Sequence, residues 1–338
     1  MRLPRRMAIR AFISGCASTV LSDEEKHFFS ETYPWGLILF KRNIENPAQV
    51  AQLARNYREI VGRADAPILI DQEGGRVQRL GPPHWPNFPA AEKLAEASQT
   101  DAVGLGARLI ANELAGLGIN VDCLPVADLR FPGAHDVIGD RAYGNDPADV
   151  ATLARAAAEG LIAGGVLPVV KHIPGHGRAM ADSHLELSRV SVSRKELERT
   201  DFEAFRRLSD LPLAMTAHVI YETVDAVLPA TISPKVISEI IRGHIGFDGL
   251  LMTDDVSMKA LSGSIGDNTK ASFAAGCDLA LHCNSKMDEM REVARNSPPL
   301  DGKAAERAKK ALDRIAGGPK PLDVAEAWER FSAMVETV

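Results

Sequence analysis

Eight short apolar, β-rich runs recur along this chain with helix-patterned stretches between them, and few folds accommodate that alternation. The runs are Ile9–Ser14, Gly36–Phe40, Pro67–Ile70, Ile119–Val121, Leu167–Val170, Leu213–Thr216, Leu250–Thr253 and Asp278–Leu281. Alternating strands and helices build a parallel sheet, because parallel neighbours need a long crossover between them. Eight such units favour an α/β fold closed into a single (β/α)8 TIM-like barrel over an open, doubly wound sheet. Helical spacing is read over Pro47–Val61, Pro89–Leu117, Pro147–Ala163, Ser193–Leu208 and Ser233–His244, several opened by Pro, Ser or Asp. The chain has 338 residues, 45% of them hydrophobic, and no internal linker rich in Gly, Ser or charge, so one catalytic barrel domain over residues 1–338 is expected. The charged, alanine-rich stretch from about Asp301 would add helices packed outside it.

Charge and cysteine usage narrow the partners. With 39 basic against 45 acidic residues and no basic stripe interleaved with aromatics, nucleic acid is not an expected partner. Cys16, Cys123, Cys277 and Cys283 are irregularly spaced without a CxxC pair, which fits small core residues in a reducing compartment better than disulfides or a thiolate zinc site. The basic N-terminus resembles a signal peptide in charge, but Arg10 interrupts the apolar stretch and Ala11–Gly15 reads as a first strand. No later segment approaches the ~20 apolar residues of a membrane span. The expectation is a cytoplasmic protein with no membrane partner.

A barrel of this kind carries its active site at the C-terminal ends of its strands, and the ionisable residues gather there. Asp71-Gln-Glu-Gly-Gly-Arg-Val-Gln-Arg79 follows the third run, Asp128, Arg130 and then Val137-Ile-Gly-Asp-Arg141-Ala-Tyr-Gly144 the fourth, Lys171-His172 the fifth, His218 the sixth, Asp254-Asp255 the seventh, and His282 and Asn284 the eighth. The densest stretch is Lys171-His-Ile-Pro-Gly-His-Gly-Arg-Ala-Met-Ala-Asp-Ser-His184, a mixture of cations, imidazoles and turn-formers that no core strand or helix needs. Lys171 and His172 are expected where the strand ends and a Gly/Pro-rich loop begins.

Several chemistries suit these groups. A carboxylate at a strand mouth serves as nucleophile, base or metal ligand, or merely caps the next helix; Asp254 and Asp255 are rivals for the role. In Asp182-Ser-His184 an extended spacing sets a carboxylate beside an imidazole, which makes His184 a candidate general acid/base, with a purely structural pair as the alternative. Lys171, Arg79 and Arg141 offer cationic donors for hydroxyls or a carboxylate, and Asp71 accepts from sugar-like hydroxyls; a surface salt bridge is the plain reading of any one of them. Gly74-Gly75 lacks the spacing of a phosphate loop and reads as a tight turn. His172, His176, Asp182 and His184 would also serve as a zinc set, so a metal-dependent barrel hydrolase is a competing class. Lys171, a cation beside the would-be ligand His172, argues against it. A non-catalytic glycan-binding protein is a third class, because a barrel does not specify function.

Taken together, Asp71–Arg79, Lys171-His-Ile-Pro-Gly-His-Gly177, Asp182-Ser-His184 and Thr253-Asp-Asp-Val-Ser-Met-Lys259 resemble the β-N-acetylhexosaminidases of glycoside hydrolase family 3, in order and in interval. The likeness runs from about Phe12 through Gly36-Leu-Ile-Leu-Phe-Lys-Arg-Asn43 to about Leu281, and is greatest to the bacterial cytoplasmic subgroup that recycles cell-wall fragments. It implies a retaining exo-β-N-acetylglucosaminidase acting through a covalent glycosyl-enzyme. Asp254 would be the nucleophile and His184, oriented by Asp182, the acid/base. Asp71, Arg79, Arg141, Lys171 and His172 would bind the sugar. The implied partner is a small glycan, a muropeptide containing N-acetylglucosamine and anhydro-muramic acid, and no cofactor or metal is implied. An imidazole acid/base departs from the usual pair of carboxylates. It also leaves phosphate open as an acceptor, since a neutral ring does not repel an anion. The chain departs from the family pattern at Ile173 (commonly Phe), at Arg141-Ala-Tyr-Gly144 (usually Arg-Ser-Phe-Gly) and at Arg178-Ala-Met-Ala181, where Asp-Thr residues are frequent.

Overall fold

A computed structural model describes residues 8–96, 100–179 and 187–336. Its strands are β1 (Arg10–Ser14), β2 (Pro34–Leu39), β3 (Ile68–Ile70), β4 (Val121–Asp122), β5 (Leu167–Ile173), β6 (Leu213–Thr216), β7 (Leu250–Asp255) and β8 (Leu279–His282). Each pairs in parallel with its sequence neighbours, and β8 returns to β1 with Ile13 opposite Leu281, which closes the (β/α)8 barrel. All eight expected strands are present, within two or three residues of the runs read from sequence.

Period-two alternation explains why these runs form a closed sheet rather than a buried helix. Ile13, Ile38, Leu69, Val121, Val169, Met215, Met252 and Leu281 meet inside the barrel. Their strand neighbours Phe12, Leu37, Leu39, Ile70, Val170, Ala214 and Leu251 face the helical ring. Both faces of most strands are therefore apolar, the mark of a parallel sheet covered by helices. The ring comprises α1 (Asp23–Thr32), α2 (Pro47–Val61), α3 (Thr100–Gly116), α4 (Pro147–Ala163), α5 (Asp201–Arg206), α6 (Val236–His244), α7 (Ile265–Ala275) and α8 (Met287–Asn296). Asn46 and Asp146 cap α2 and α4 through their side chains, each with Pro at the first turn. Beyond the ring, α9 (Gly302–Asp313) packs Ala308 and Ala311 against the barrel-interior cluster, and α10 (Val324–Val335) sets Trp328 and Phe331 against Phe88 at ring-centroid distances of 5.3 and 6.1 Å.

Three expectations need correction. The stretch 89–117 is not one helix: Ala91–Glu96 and α3 are separate, with residues 97–99 outside the described set. The stretch 193–208 breaks at Thr200 (φ −119°, ψ −90°), whose hydroxyl donates to the Glu196 carbonyl and to Asp201, so that Arg194–Arg199 and α5 follow different axes. Finally, Lys171 and His172 do not lie past the end of a strand, because β5 continues to Ile173. The extension is held by the chain beyond β4: Lys171 N donates to Pro125 O and Ala127 N to Lys171 O.

Candidate active site

The strand ends open on a cavity of about 590 Å³, lined by Asp71, Arg79, Arg141, Lys171, His172 and Asp254 among others. That volume suits a small ligand of one or two rings. Six of the eight site residues expected from sequence thus share one wall system, while Asp182 and His184 lie outside the described residues.

Beyond β3 the chain folds into a small hairpin, Gln72–Gly74 against Val77–Gln78. Gly74-Gly75 makes its turn, as expected: Gly74 has φ +93°, and a Cβ there would overlap the Pro89 carbonyl. The Gln72 amide staples the hairpin, its oxygen accepting from Arg79 N (2.9 Å) and Leu80 N (3.0 Å) and its nitrogen donating to Leu80 O (2.9 Å). This brings Asp71, Glu73 and Arg79 to the cavity side. From β5, Lys171 Nζ reaches Asp71 Oδ1 at 2.9 Å and Glu73 Oε1 at 2.6 Å. Arg79 grips the second Asp71 oxygen at 3.0 Å, and Arg141 forks onto Glu73 with two contacts of 2.8 Å.

Burial is the largest influence on both carboxylates and would raise their pKa values, but the cations outweigh it. Lys171 and Arg79 hold Asp71 far below the usual carboxylate range, and Arg141 and Lys171 bring Glu73 down to about 2. Burial would discharge Lys171, yet Asp71 and Glu73 keep it charged, above its ordinary value. Asp122, beneath this network, is different. Its burial dominates and pushes its pKa well above the usual carboxylate range, and its Oδ1 accepts from Gln72 N at 2.9 Å. Three cations against two carboxylates give the network a net charge of +1 (3 − 2), suited to hold an uncharged, hydroxyl-rich ligand near an anionic nucleophile.

His172 is oriented from behind. Asp128, fully buried, accepts from the backbone N–H groups of His172 and His176 (2.7 Å for the latter) and contacts His172 Nδ1 at 2.6 Å. The carboxylate is ionised: burial would raise its pKa, but the His172 imidazole overrides that and lowers it. Because an ionised carboxylate only accepts, Nδ1 carries the proton and Nε2 is the ring nitrogen left for the cavity.

Asp254 and Asp255 differ in how they are held. Asp255 ties down the turn after β7: its Oδ1 accepts from Ser257 N (3.0 Å) and Cys283 N (3.2 Å), and its Oδ2 from Ser257 Oγ (2.8 Å). Asp254 accepts one hydrogen bond among the described residues, from Asp255 N at 2.8 Å, and its other oxygen is unengaged. Burial would raise its pKa, but the imidazoles of His218 and His172 and the Asp255 N–H lower it instead, so it is a carboxylate at neutral pH. His218 is itself fixed by Thr231 (2.7 Å) and by the Asp255 carbonyl (2.9 Å).

Sequence reasoning placed Asp128 at a strand end and Glu73 inside a motif but gave neither a role. Glu73 lay inside the quoted motif, two places from Asp71, and that spacing was the available signal. Cys16, Cys123 and Cys277 are buried thiols as expected, but Cys283 lines the cavity. As for the zinc set, two of its four members are outside the described residues, and among those described no group of three His, Cys, Asp or Glu is arranged to hold a metal. Among the described residues no helix is long and apolar enough to cross a membrane.

Stability is expected to fall on acidification in two stages. Burial, aided by the facing His172, holds His176 down to about 4, whereas an unfolded histidine titrates near 6.5. Between those values the unfolded chain binds the extra proton, so stability drops as pH falls through that window. Glu73 and Asp71, both depressed, add stability above their unfolded values, and this is lost as pH falls from about 4.5 toward 2. Thermal melts at pH 7, 5.5 and 4 check the order; an unchanged midpoint between the first two would contradict the His176 step.

Comparison with known proteins places the chain in a family. Residues 14–316 match the family model described as glycosyl hydrolase family 3 N terminal domain. A beta-hexosaminidase of Alkalilimnicola ehrlichii is 37% identical over 335 residues, covering 96% of this chain and 92% of that protein. A beta-hexosaminidase of Pseudomonas aeruginosa is 39% identical over 272 residues, covering 79% of this chain and 80% of that one. Among solved structures, NagZ from Neisseria gonorrhoeae in complex with N-trifluoroacetyl-D-glucosamine aligns with a TM-score of 0.86 at 31% identity, over 97% of this chain and 99% of that chain. A family 3 beta-N-acetylglucosaminidase from a Paenibacillus strain gives 0.86 at 30% identity, over 99% of this chain and 69% of that one. With the family model spanning residues 14–316 and relatives of this identity matched over four-fifths or more of their length, the chain belongs to glycoside hydrolase family 3.

Proposed function

We propose that this protein is a retaining exo-β-N-acetylglucosaminidase that releases N-acetylglucosamine from small muropeptides containing anhydro-muramic acid in the cytoplasm. The observation that carries the reading is Asp254: an ionised carboxylate whose second oxygen has no hydrogen bond among the described residues, in the wall of a sugar-sized cavity that also holds the Asp71–Arg79–Lys171 clamp. The curated relatives named beta-hexosaminidase and the N-trifluoroacetyl-D-glucosamine held by the Neisseria protein support an acylated glucosamine as the sugar.

In this mechanism Asp71, gripped through both oxygens by cations, presents its remaining lone pairs to ring hydroxyls, while Arg79, Arg141 and Lys171 donate to ring oxygens. His172 Nε2 completes the clamp. Asp254 attacks the anomeric carbon as the glycosidic C–O bond breaks, and protonated His184 delivers its proton to the departing oxygen. Neutral His184, oriented by Asp182, then removes a proton from water as that water displaces Asp254, restoring the carboxylate with net retention. General acid/base help of this kind is worth about 10²–10⁴-fold.

Release of the phenol from an aryl N-acetyl-β-D-glucosaminide by protein pretreated with chelator, from pH 5 to 9, tests the reading. Hydrolysis with the β-anomer of N-acetylglucosamine as first product is expected. Activity that appears only after zinc is restored would favour the metal-dependent hydrolase. Binding without turnover would favour a glycan-binding protein.

A further inference from the structure

We propose that Arg178 is a positioning residue for the general acid/base, pinning the root of the segment that carries His184 between the loop after β4 and the start of α5. The inference rests on the acid/base role assigned to His184 above.

The chain leaves β5 through residues 174–179, and neighbouring elements hold this root. The Tyr221 hydroxyl donates to Gly175 O, His176 N donates to Asp128, and His135 N donates to Ala179 O at 2.9 Å. The backbone at Gly177 packs so closely on Leu129 that a Cβ there would overlap its carbonyl. Arg178 is the side chain that ties α5 into this assembly. Its Nε donates to Asp201 Oδ2 at 2.7 Å, and one terminal nitrogen donates to Thr200 Oγ1 at 3.1 Å and reaches Glu196 at 3.4 Å. Its guanidinium carbon sits 3.8 Å from the centroid of the Phe131 ring, which belongs to the loop after β4. One planar cation thus bridges the loop after β4 and the start of α5.

Asp201 shows that the bridge is built rather than incidental. Its side chain is 1% exposed, and Arg178 is its ion-pair partner among the described residues. The helix break at Thr200 turns Asp201 toward the root, and a buried carboxyl in that position needs a cation. The acid/base pair follows closely, Asp182 and His184 being four and six residues beyond Arg178 (182 − 178 and 184 − 178). Proton transfer tolerates little displacement, and a 1 Å misplacement costs about 10²-fold. Asp254 is built on β7 and hydrogen-bonded to Asp255 N, so its placement does not depend on the Arg178 contacts. Loss of Arg178 therefore weakens protonation of the leaving group and spares nucleophilic attack.

The test is a leaving-group series of aryl N-acetyl-β-D-glucosaminides, from dinitrophenyl to unsubstituted phenyl, assayed on wild type, R178M, R178K and H184A, with a thermal melt of each. R178M is expected to match wild type in kcat/KM on the dinitrophenyl substrate, whose leaving group needs no proton, and to lose about 10- to 100-fold in kcat/KM on the phenyl substrate, while kcat on the dinitrophenyl substrate falls because His184 also serves as base for the incoming water. R178K, which keeps the charge but not the planar fork, should fall between them. H184A should show the same slope more steeply. A flat R178M series beside a steep H184A series overturns the proposal, even if the melting temperature drops, because it assigns Arg178 to folding alone. A flat H184A series overturns the acid/base reading itself and the role of Arg178 with it.

Discussion

Asp254→Asn is expected to lower kcat on an aryl N-acetyl-β-D-glucosaminide by about 10⁴-fold or more, the scale on which removal of a single essential group registers, with the fold intact. The amide matches the carboxylate in shape and keeps an oxygen to accept from Asp255 N, the one hydrogen bond Asp254 makes among the described residues. What it lacks is the lone-pair charge that bonds to the anomeric carbon. Its neighbour supplies the control. Asp255→Asn loses charge at a group that accepts from Ser257 N, Ser257 Oγ and Cys283 N, so it should loosen the turn after β7 and lower the melting temperature more than it lowers kcat. Near-wild-type turnover by the Asp254 variant would remove Asp254 as nucleophile. If the effects of the two variants were exchanged, the nucleophile would be Asp255. Azide added to Asp254→Gly offers a further check, because a small anion entering the vacated space should yield the inverted glycosyl azide.

The barrel was legible because its signal is redundant: eight runs each alternate between an inner and an outer apolar set, and closure follows from their number. Which strand-end residues share a face was less so, because the face is decided by bulges. In β7 the register with β8 shifts between Met252 and Asp255, and in β5 the register with β6 shifts between Lys171 and Ile173. One extra residue reverses which side of a strand a side chain faces. Adjacent carboxylates such as Asp254 and Asp255 therefore cannot be ranked from alternation alone. Pairing across the barrel was hidden for another reason. Arg141 was read as a sugar donor, yet its fork is held by Glu73, 68 positions away, and nothing in the intervening sequence says which carboxylate it meets. The same holds for Asp128 and His172, 44 positions apart. Motif spacing reports which groups reach the cavity, whereas the supporting partners arise from tertiary geometry.

Lys171→Met is expected to be the most destabilising single change in the site, by about 3–5 kcal/mol, the cost of breaking a buried ionic group by removing one partner. The Lys171 side chain is 2% exposed and bridges Asp71 and Glu73, whose side chains are 16% and 4% exposed, so solvent screens the cluster weakly. Methionine fills the space without charge. Arg79 and Arg141 remain, but each neutralises one carboxylate only, and the repulsion between Asp71 and Glu73 is then opposed by no shared cation. The melting temperature should drop by roughly 5 °C, and KM should rise because Asp71 is no longer held through both oxygens. The pH dependence separates this electrostatic account from a packing defect. Lys171 helps keep both carboxylates depressed, and that stability is present above their unfolded values and lost below them. The penalty of the variant should therefore be greatest at pH 7 and shrink toward pH 4, whereas a cavity or clash would cost the same at both. Adding Glu73→Gln to Lys171→Met should recover much of the loss at pH 7, since it removes one of the two repelling charges. A Lys171→Met protein that melts within a degree or two of wild type at pH 7, or whose deficit is independent of pH, would show that the Asp71–Lys171–Glu73 bridge is not what holds the clamp in place.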